Sequence, residues 1–298
     1  MQQLIVIEGP TASGKTALAV SLAKHLKTVV ISADSRQFYK ELAIGTAKPT
    51  TEEMNGIPHY FIDSHSISTP VTAAQFETEA MDLICTKLKD YSKLIVAGGS
   101  GMFIDALCIG LDPIPKDEQI QLSLRTELSK TGLDSLLTEL EQSDPVYYQE
   151  VDRSNPARIL RALEVIRLTG RPFSELRKQE PATRPFEVKR FVIDHPREQL
   201  YDRINRRVDN MIDQGLIEEV RSVEAFRKST TLQTVGYQEV FDYFDGIYSL
   251  DACIEKIKQH TRNYAKRQLT WFRKHPDSIW IPFSSTEKMT QEILQVLD

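Results

Sequence analysis

The stretch Gly9-Pro10-Thr11-Ala12-Ser13-Gly14-Lys15-Thr16 constrains this chain more than any other. It has the form G-x-x-x-x-G-K-T. Before it stands a short β-branched run, QLIVI, from Gln3 to Ile7. After it, Ala17, Leu18, Ala19, Leu22, Ala23 and Leu26 share one helical face. Strand, glycine-rich turn and helix in that order make a phosphate loop of the nucleotide-binding, ATP-binding type. Gly9 and Gly14 permit backbone angles that aim several N–H groups at one anion. The helix N-terminus adds the positive end of its dipole. Lys15 brings a point charge to the terminal phosphates, and Thr16 offers its hydroxyl to Mg²⁺, the expected metal. The eight residues should therefore surround a diphosphate or triphosphate. Which compound it is, and what is done with it, the loop does not say.

Strand and helix patterns continue to alternate. TVVIS (Thr28 to Ser32) reads as a second strand ending at Asp34, and Pro58 to Asp63 as a short one. Thr72 to Leu88 has helical periodicity, and KLIVA (Lys93 to Ala97) is a buried strand running into Gly98-Gly99-Ser100-Gly101. From Lys116 to Arg177 the pattern is helical with no good strand. Strand character returns at Phe186 to Asp194, followed by helices at Arg197 to Gln214, Glu239 to Phe244 and Leu250 to Lys274, then a last strand at Ser278 to Phe283. The expected fold is α/β: a P-loop NTPase-like, doubly wound parallel sheet with an inserted all-helical domain. Its core is 1–113 with 186–298, and its insertion is 114–185. Ligands of such sheets bind beyond the carboxyl ends of the strands, the edge that gathers the loop, Asp34 and Gly98 to Gly101.

Composition excludes several classes. With 41% hydrophobic and 27% charged residues, the 298-residue chain reads as globular. No apolar run approaches the roughly 20 residues of a membrane span, and the N-terminus enters a strand at once, without a signal-peptide pattern. Cys85, Cys108 and Cys253 are expected as buried free thiols, which suits the cytoplasm. The histidines lack metal-ligand spacing. A net charge of −5 argues against indiscriminate nucleic-acid binding but leaves room for a local basic groove.

Asp34 is either an Asx-type turn residue or an acid facing the phosphates. The strand ending at Ala97 carries no acid of the kind that holds Mg²⁺ in ATP- and GTP-hydrolysing relatives of the loop. Its absence favours a transferase that holds a diphosphate leaving group over a motor or GTPase. Arginines crowd the insertion and its return, with Arg158 and Arg161, and Arg203 and Arg207, spaced to share helix faces. The last long helix adds Arg262, Lys266, Arg267, Arg273 and Lys274 around Tyr264 and Trp271. Such groups serve either a solvated, paired surface or single-stranded RNA. Trp271 itself reads as core.

Together these segments resemble the tRNA dimethylallyltransferases, also called tRNA isopentenyltransferases. The matching pieces are GPTASGKT (Gly9 to Thr16), ADSRQFY (Ala33 to Tyr39), IGTAKP (Ile44 to Pro49), PHYFID (Pro58 to Asp63) and GGSGMF (Gly98 to Phe103). NPARILRALEVIRLTG (Asn155 to Gly170), VGYQE (Val235 to Glu239) and AKRQLTWFRK (Ala265 to Lys274) continue the series in family order. The resemblance implies that dimethylallyl diphosphate gives its prenyl group to N6 of the adenosine 3′ of the anticodon, with Mg²⁺. It implies Asp34 as general base, Ser35, Arg36, Gln37 and Ser100 along the target-base side, and Arg207 with Lys15 and Thr16 on the diphosphate. It further implies that Ala157, Arg158, Ile159, Leu160 and Arg161 touch the anticodon stem-loop, in a cytoplasmic monomer. The chain departs from relatives at Glu118 to Leu122, where many carry an Arg, and at Ala157, where Gln or Arg is common; the zinc finger of some eukaryotic relatives is absent. Three other readings remain at this point: a phosphate-loop nucleotide or small-molecule kinase, an adenylate isopentenyltransferase, and a non-catalytic RNA-binding NTPase switch.

Overall fold

Among the described residues, six short strands form the sheet: β1 (Gln2–Glu8), β2 (Val30–Ser32), β3 (His59–Tyr60), β4 (Lys93–Gly98), β5 (Phe186–Asp194) and β6 (Ile279–Pro282). The computed structural model describes residues 1–178 and 180–297. All strand pairs are parallel, in the order β3-β2-β4-β1-β5-β6. The apolar run of β1 explains its central place, because a parallel strand covered on both faces needs no polar side. Leu4 and Val6 enter one core, while Ile5 and Ile7 enter the other. The helices Ala73–Cys85, Gly101–Cys108, Arg197–Asp213 and Leu250–Phe272 supply side chains to the first core. Lys15–Leu26 and Thr286–Leu297 supply the second through Leu18, Leu22, Met289 and Ile293. Full burial of each such aliphatic side chain stabilises by roughly 1.5–3 kcal/mol.

The chain divides into two compact units, Met1–Ile109 with Thr183–Asp298, and Gly110–Ala182. The second unit holds the helices Glu118–Thr131, Leu133–Ser143, Pro145–Glu150, Pro156–Thr169 and Phe173–Leu176. Its core is Leu124, Leu136, Leu140, Tyr147, Ile159, Leu163 and Phe173. Local signals set the helix ends. Asp117 accepts from the Ile120 N–H at 2.9 Å, and Asn155 caps the helix that Pro156 begins. Buried Asp144 accepts from the Tyr147 and Ser174 N–H groups.

Several elements differ from expectation for local reasons. β2 starts at Val30, because the Thr28 N–H is spent on the Ala23 carbonyl after Lys27 turns left-handed at φ 51°. β3 keeps two residues, since Phe61 and Asp63 stand at φ 64° and 52°. Gly101–Cys108 and Thr286–Leu297 are helices that periodicity did not single out. Cys108 and Cys253 are buried, but Cys85 is exposed; it ends its helix away from the face of Phe76, Ala80 and Ile84. Among the described residues, no helix is long and apolar enough to cross a membrane, and no cluster of three His, Cys, Asp or Glu groups could hold a metal.

Candidate active site

Gly14 makes the turn from β1 into its helix, at φ 91°, a left-handed angle that suits glycine. The Lys15 ammonium lies inside the loop and donates to the carbonyls of Gly9, at 3.0 Å, and Pro10, at 2.8 Å. Burial pulls its pKa down to about 8; Arg207 lowers it further and Asp34 opposes the shift. Burial also lowers the Arg207 pKa, again against Asp34. Two cations and one carboxylate thus share one electrostatic neighbourhood. Lys15, Thr16, Ser32, Asp34, Gln37, Ala97 and Gly98 line one cleft there. The loop is also held from behind. Arg203 Nε donates to the Ala12 carbonyl at 2.7 Å. The Ser13 carbonyl accepts from His195 Nε2 at 3.0 Å, and the His195 ring stacks on Phe283.

Asp34 follows β2 and accepts from the Arg36 N–H at 3.2 Å, the contact of an Asx-type turn residue, and it also lines the cleft beside Lys15 and Thr16. Beside it, Ser100 Oγ accepts from the Ser35 N–H at 3.0 Å and lies 3.1 Å from Ser35 Oγ. These contacts tie the end of β2 to the turn after β4. Tyr264 hydrogen-bonds Ser100; burial chiefly, with Asp34 nearby, pushes its phenol up to about 12. Gln37 is engaged inside the protein, donating to the carbonyls of Thr46, at 3.3 Å, and Ala47, at 3.2 Å. The Arg36 guanidinium reaches the Thr230 carbonyl at 3.5 Å.

Two polar supports stand behind this edge, and neither was singled out from sequence. Glu219 accepts from three successive N–H groups, Ala43, Ile44 and Gly45, and from the Tyr237 hydroxyl at 2.6 Å. It fixes the Ile44–Pro49 loop, whose Thr46 carbonyl meets Gln37 and, at 3.5 Å, Arg207. The second support is buried. Arg190 pairs with Glu8 at 3.2 Å and with Asp105 at 2.6 Å, and Asp105 also accepts from Trp271 Nε1 at 2.7 Å. Burial outweighs Arg190 at Glu8 and pushes its carboxyl up to about 7. Trp271 is thus held by its indole N–H but is only half-buried, outside the apolar cores where its sequence context placed it.

The remaining predicted site residues belong to the helical unit. On Pro156–Thr169, Ala157 and Arg158 are exposed, Leu160 is half-buried and Ile159 lies wholly in the core. Arg161 is engaged with the Ile114 carbonyl at 3.1 Å and with buried Glu164 at 2.8 Å. Other arginines of the crowd are paired too: Arg167 with Glu127 and Glu139, Arg171 with Glu175, and Arg184 with Glu77.

The family model described as IPP transferase matches residues 37–275. A protein of Cytophaga hutchinsonii named tRNA dimethylallyltransferase is 46% identical over 289 residues, spanning 96% of this chain and 95% of its own length. The chain belongs to the tRNA dimethylallyltransferase family. A Bacteroides fragilis member, tRNA dimethylallyltransferase 1, is 45% identical over 93% of this chain and 92% of its own. Solved structures of the family agree. The tRNA isopentenylpyrophosphate transferase of Bacillus halodurans aligns with a TM-score of 0.74 at 36% identity, over all of this chain and 96% of its own. A eukaryotic dimethylallyltransferase described as acting on tRNA aligns with a TM-score of 0.81 at 26% identity, over all of this chain and 78% of its own. As in those dimethylallyltransferases, the sheet is P-loop-like; the kinase reading is not favoured.

Proposed function

We propose that this protein transfers the dimethylallyl group of dimethylallyl diphosphate to N6 of the adenosine adjacent, on the 3′ side, to the anticodon of tRNAs. The products are N6-isopentenyladenosine and diphosphate. Membership of the tRNA dimethylallyltransferase family supports the reaction class. The observation that carries the residue roles is the cleft at the sheet edge, where Lys15 and Thr16 of the loop face Asp34.

The chemistry sets the roles. An adenine N6 lone pair is delocalised into its ring and attacks poorly, so the allylic carbon must carry much positive charge before the new bond forms. The C–O bond pair leaves with the diphosphate, whose growing charge the loop N–H groups, Lys15 and Arg207 receive. The N6 lone pair forms the C–N bond, and the N6 proton passes to the Asp34 carboxylate. Ser100 and Ser35 hold Asp34's strand end against the turn after β4. The Thr16 and Ser32 hydroxyls and the Asp34 carboxylate give the cleft hard oxygen donors of the kind that fits Mg²⁺, beside the nitrogens of Lys15 and His59. Thr16 would hold Mg²⁺, which would supply neutralising charge to the leaving group. The exposed face of Pro156–Thr169, at Ala157 and Arg158 with half-buried Leu160, is our candidate for the anticodon stem-loop. A free-nucleotide acceptor would have no use for that face. We assign the activity to a monomer in the cytoplasm.

Incubation with Mg²⁺, labelled dimethylallyl diphosphate and unmodified tRNA, followed by digestion to nucleosides, tests the proposal. Label in N6-isopentenyladenosine is the expected result. No labelled nucleoside from tRNA, with label instead in adenylate or with phosphate transfer from ATP, overturns it.

A further inference from the structure

The helix Leu250–Phe272 touches the reaction edge at two points one turn apart. Trp271 packs over Gly101 so closely that a Cβ on that glycine would meet the indole at 2.3 Å. Gln268 lies deeper, 6% exposed, and both ends of its amide are used. Its Oε1 accepts from the Thr11 N–H at 2.9 Å, and its Nε2 donates to the Gly99 carbonyl at 2.9 Å. Thr11 belongs to the loop after β1; Gly99 belongs to the turn after β4, next to Ser100, which in turn holds Ser35 beside Asp34. One side chain therefore spans the two segments that, in the reading above, carry the leaving diphosphate and the attacking base.

We infer that Gln268 is a positioning residue for the prenyl transfer, holding the Thr11 and Gly99 backbones at a fixed separation. The inference rests on the proposed function. Gln268 touches neither substrate. It sets the distance between the anion cradle and the end of β2, and so the approach of N6 to the allylic carbon. Reacting atoms must stand about 3–3.5 Å apart, and a misplacement of about 1 Å costs on the order of 10²-fold in rate. Each half of the site keeps its own contacts when the amide is removed, so substrate binding should survive while turnover falls. The amide's two ends have different requirements. Thr11 needs an acceptor and Gly99 needs a donor, and among nearly isosteric side chains only an amide or a protonated carboxyl supplies both.

The test uses the full chain and two variants. Gln268→Met keeps the volume and removes both hydrogen bonds. Its kcat should fall by about 10–10²-fold, while KM for tRNA and for dimethylallyl diphosphate stays within about threefold. Exchange of the Thr11 amide hydrogen should accelerate. Gln268→Glu keeps the acceptor for Thr11 and lacks the donor for Gly99 until it is protonated. Its kcat, relative to wild type, should therefore recover as the pH is lowered. A kcat for Gln268→Met within about twofold of wild type, or a higher KM with unchanged kcat, overturns the inference. So does a Gln268→Glu profile parallel to wild type. If the wild-type protein transfers no prenyl group, the function reading fails instead, and Thr11 exchange in the two variants still decides whether the clamp exists.

Discussion

Lys15→Met should weaken diphosphate binding in a manner that depends on pH. The Lys15 ammonium is enclosed by the Gly9 and Pro10 carbonyls, and burial holds its pKa at about 8 instead of 10.5. A bound diphosphate supplies the negative charge that this cation lacks, so binding returns the pKa toward its ordinary value. The full return is worth roughly 3 kcal/mol, and the side chain's partial exposure reduces it to about 2 kcal/mol, or about 30-fold in affinity. The sign follows from proton uptake. Below about pH 8 the free enzyme already carries the charge, and the advantage over Met is complete. Above it, binding must take up a proton, and the advantage shrinks as pH rises toward 10.5. Stability of the ligand-free protein runs the other way: a lysine with a lowered folded pKa lets stability rise between about pH 8 and 10.5, a slope that Lys15→Met should lose. Calorimetric titration of diphosphate into both proteins across this range supplies the ratio of dissociation constants, in which titration of the ligand itself cancels. A ratio near one at pH 7, or a ratio flat with pH, would refute the reasoning.

Asp34→Asn should lower kcat by about 10²–10⁴-fold with both substrates still bound; single-turnover transfer across a Mg²⁺ series decides it, since rescue by extra Mg²⁺ would assign Asp34 to the metal instead. Arg158→Ala should reduce the log–log salt slope of tRNA affinity by roughly 0.7–0.9 and leave KM for dimethylallyl diphosphate unmoved. Arg161→Ala should instead lower the melting temperature, because it leaves Glu164, which is 1% exposed, with only the Asp117 N–H and the Gln121 amide and no cation. Arg190→Met leaves two acids, Glu8 and Asp105, without their shared cation, and denaturant unfolding should register a loss of about 3–5 kcal/mol at neutral pH.

The sequence was most legible where one stretch carries its own geometry. Gly9 to Thr16 and the runs of β1, β4 and β5 need no distant information, because chain angles and apolar alternation specify them. β3 was overestimated, since a left-handed Phe61 leaves no compositional trace. The supports of the site were hidden for a different reason. Glu219 meets its loop partners 174 to 176 positions away, Arg190 its acids 85 and 182 away, and Gln268 its backbone partners 169 and 257 away, and no local period reports such a meeting. Gln268 sits in AKRQLTWFRK, a segment that matches the family, yet within it the cations and rings stand out and the amide does not. Ile159 and Arg161 show the converse: a motif selects a helix, while burial decides which of its side chains can leave the surface.

Three successive residues of the Gly9–Thr16 loop each depend on a late-arriving side chain: Thr11 on Gln268, Ala12 on Arg203 and Ser13 on His195. β1 likewise waits for β5 to cover its second edge. Ribosomes deliver residues in order, at about 5–20 per second. The newborn N-terminal third therefore emerges with its anion-binding motif complete in letters but without its braces. At that rate it stays an unfinished half-sheet for roughly 10 seconds or more, and all three braces are in place only after the helix Leu250–Phe272 has been made.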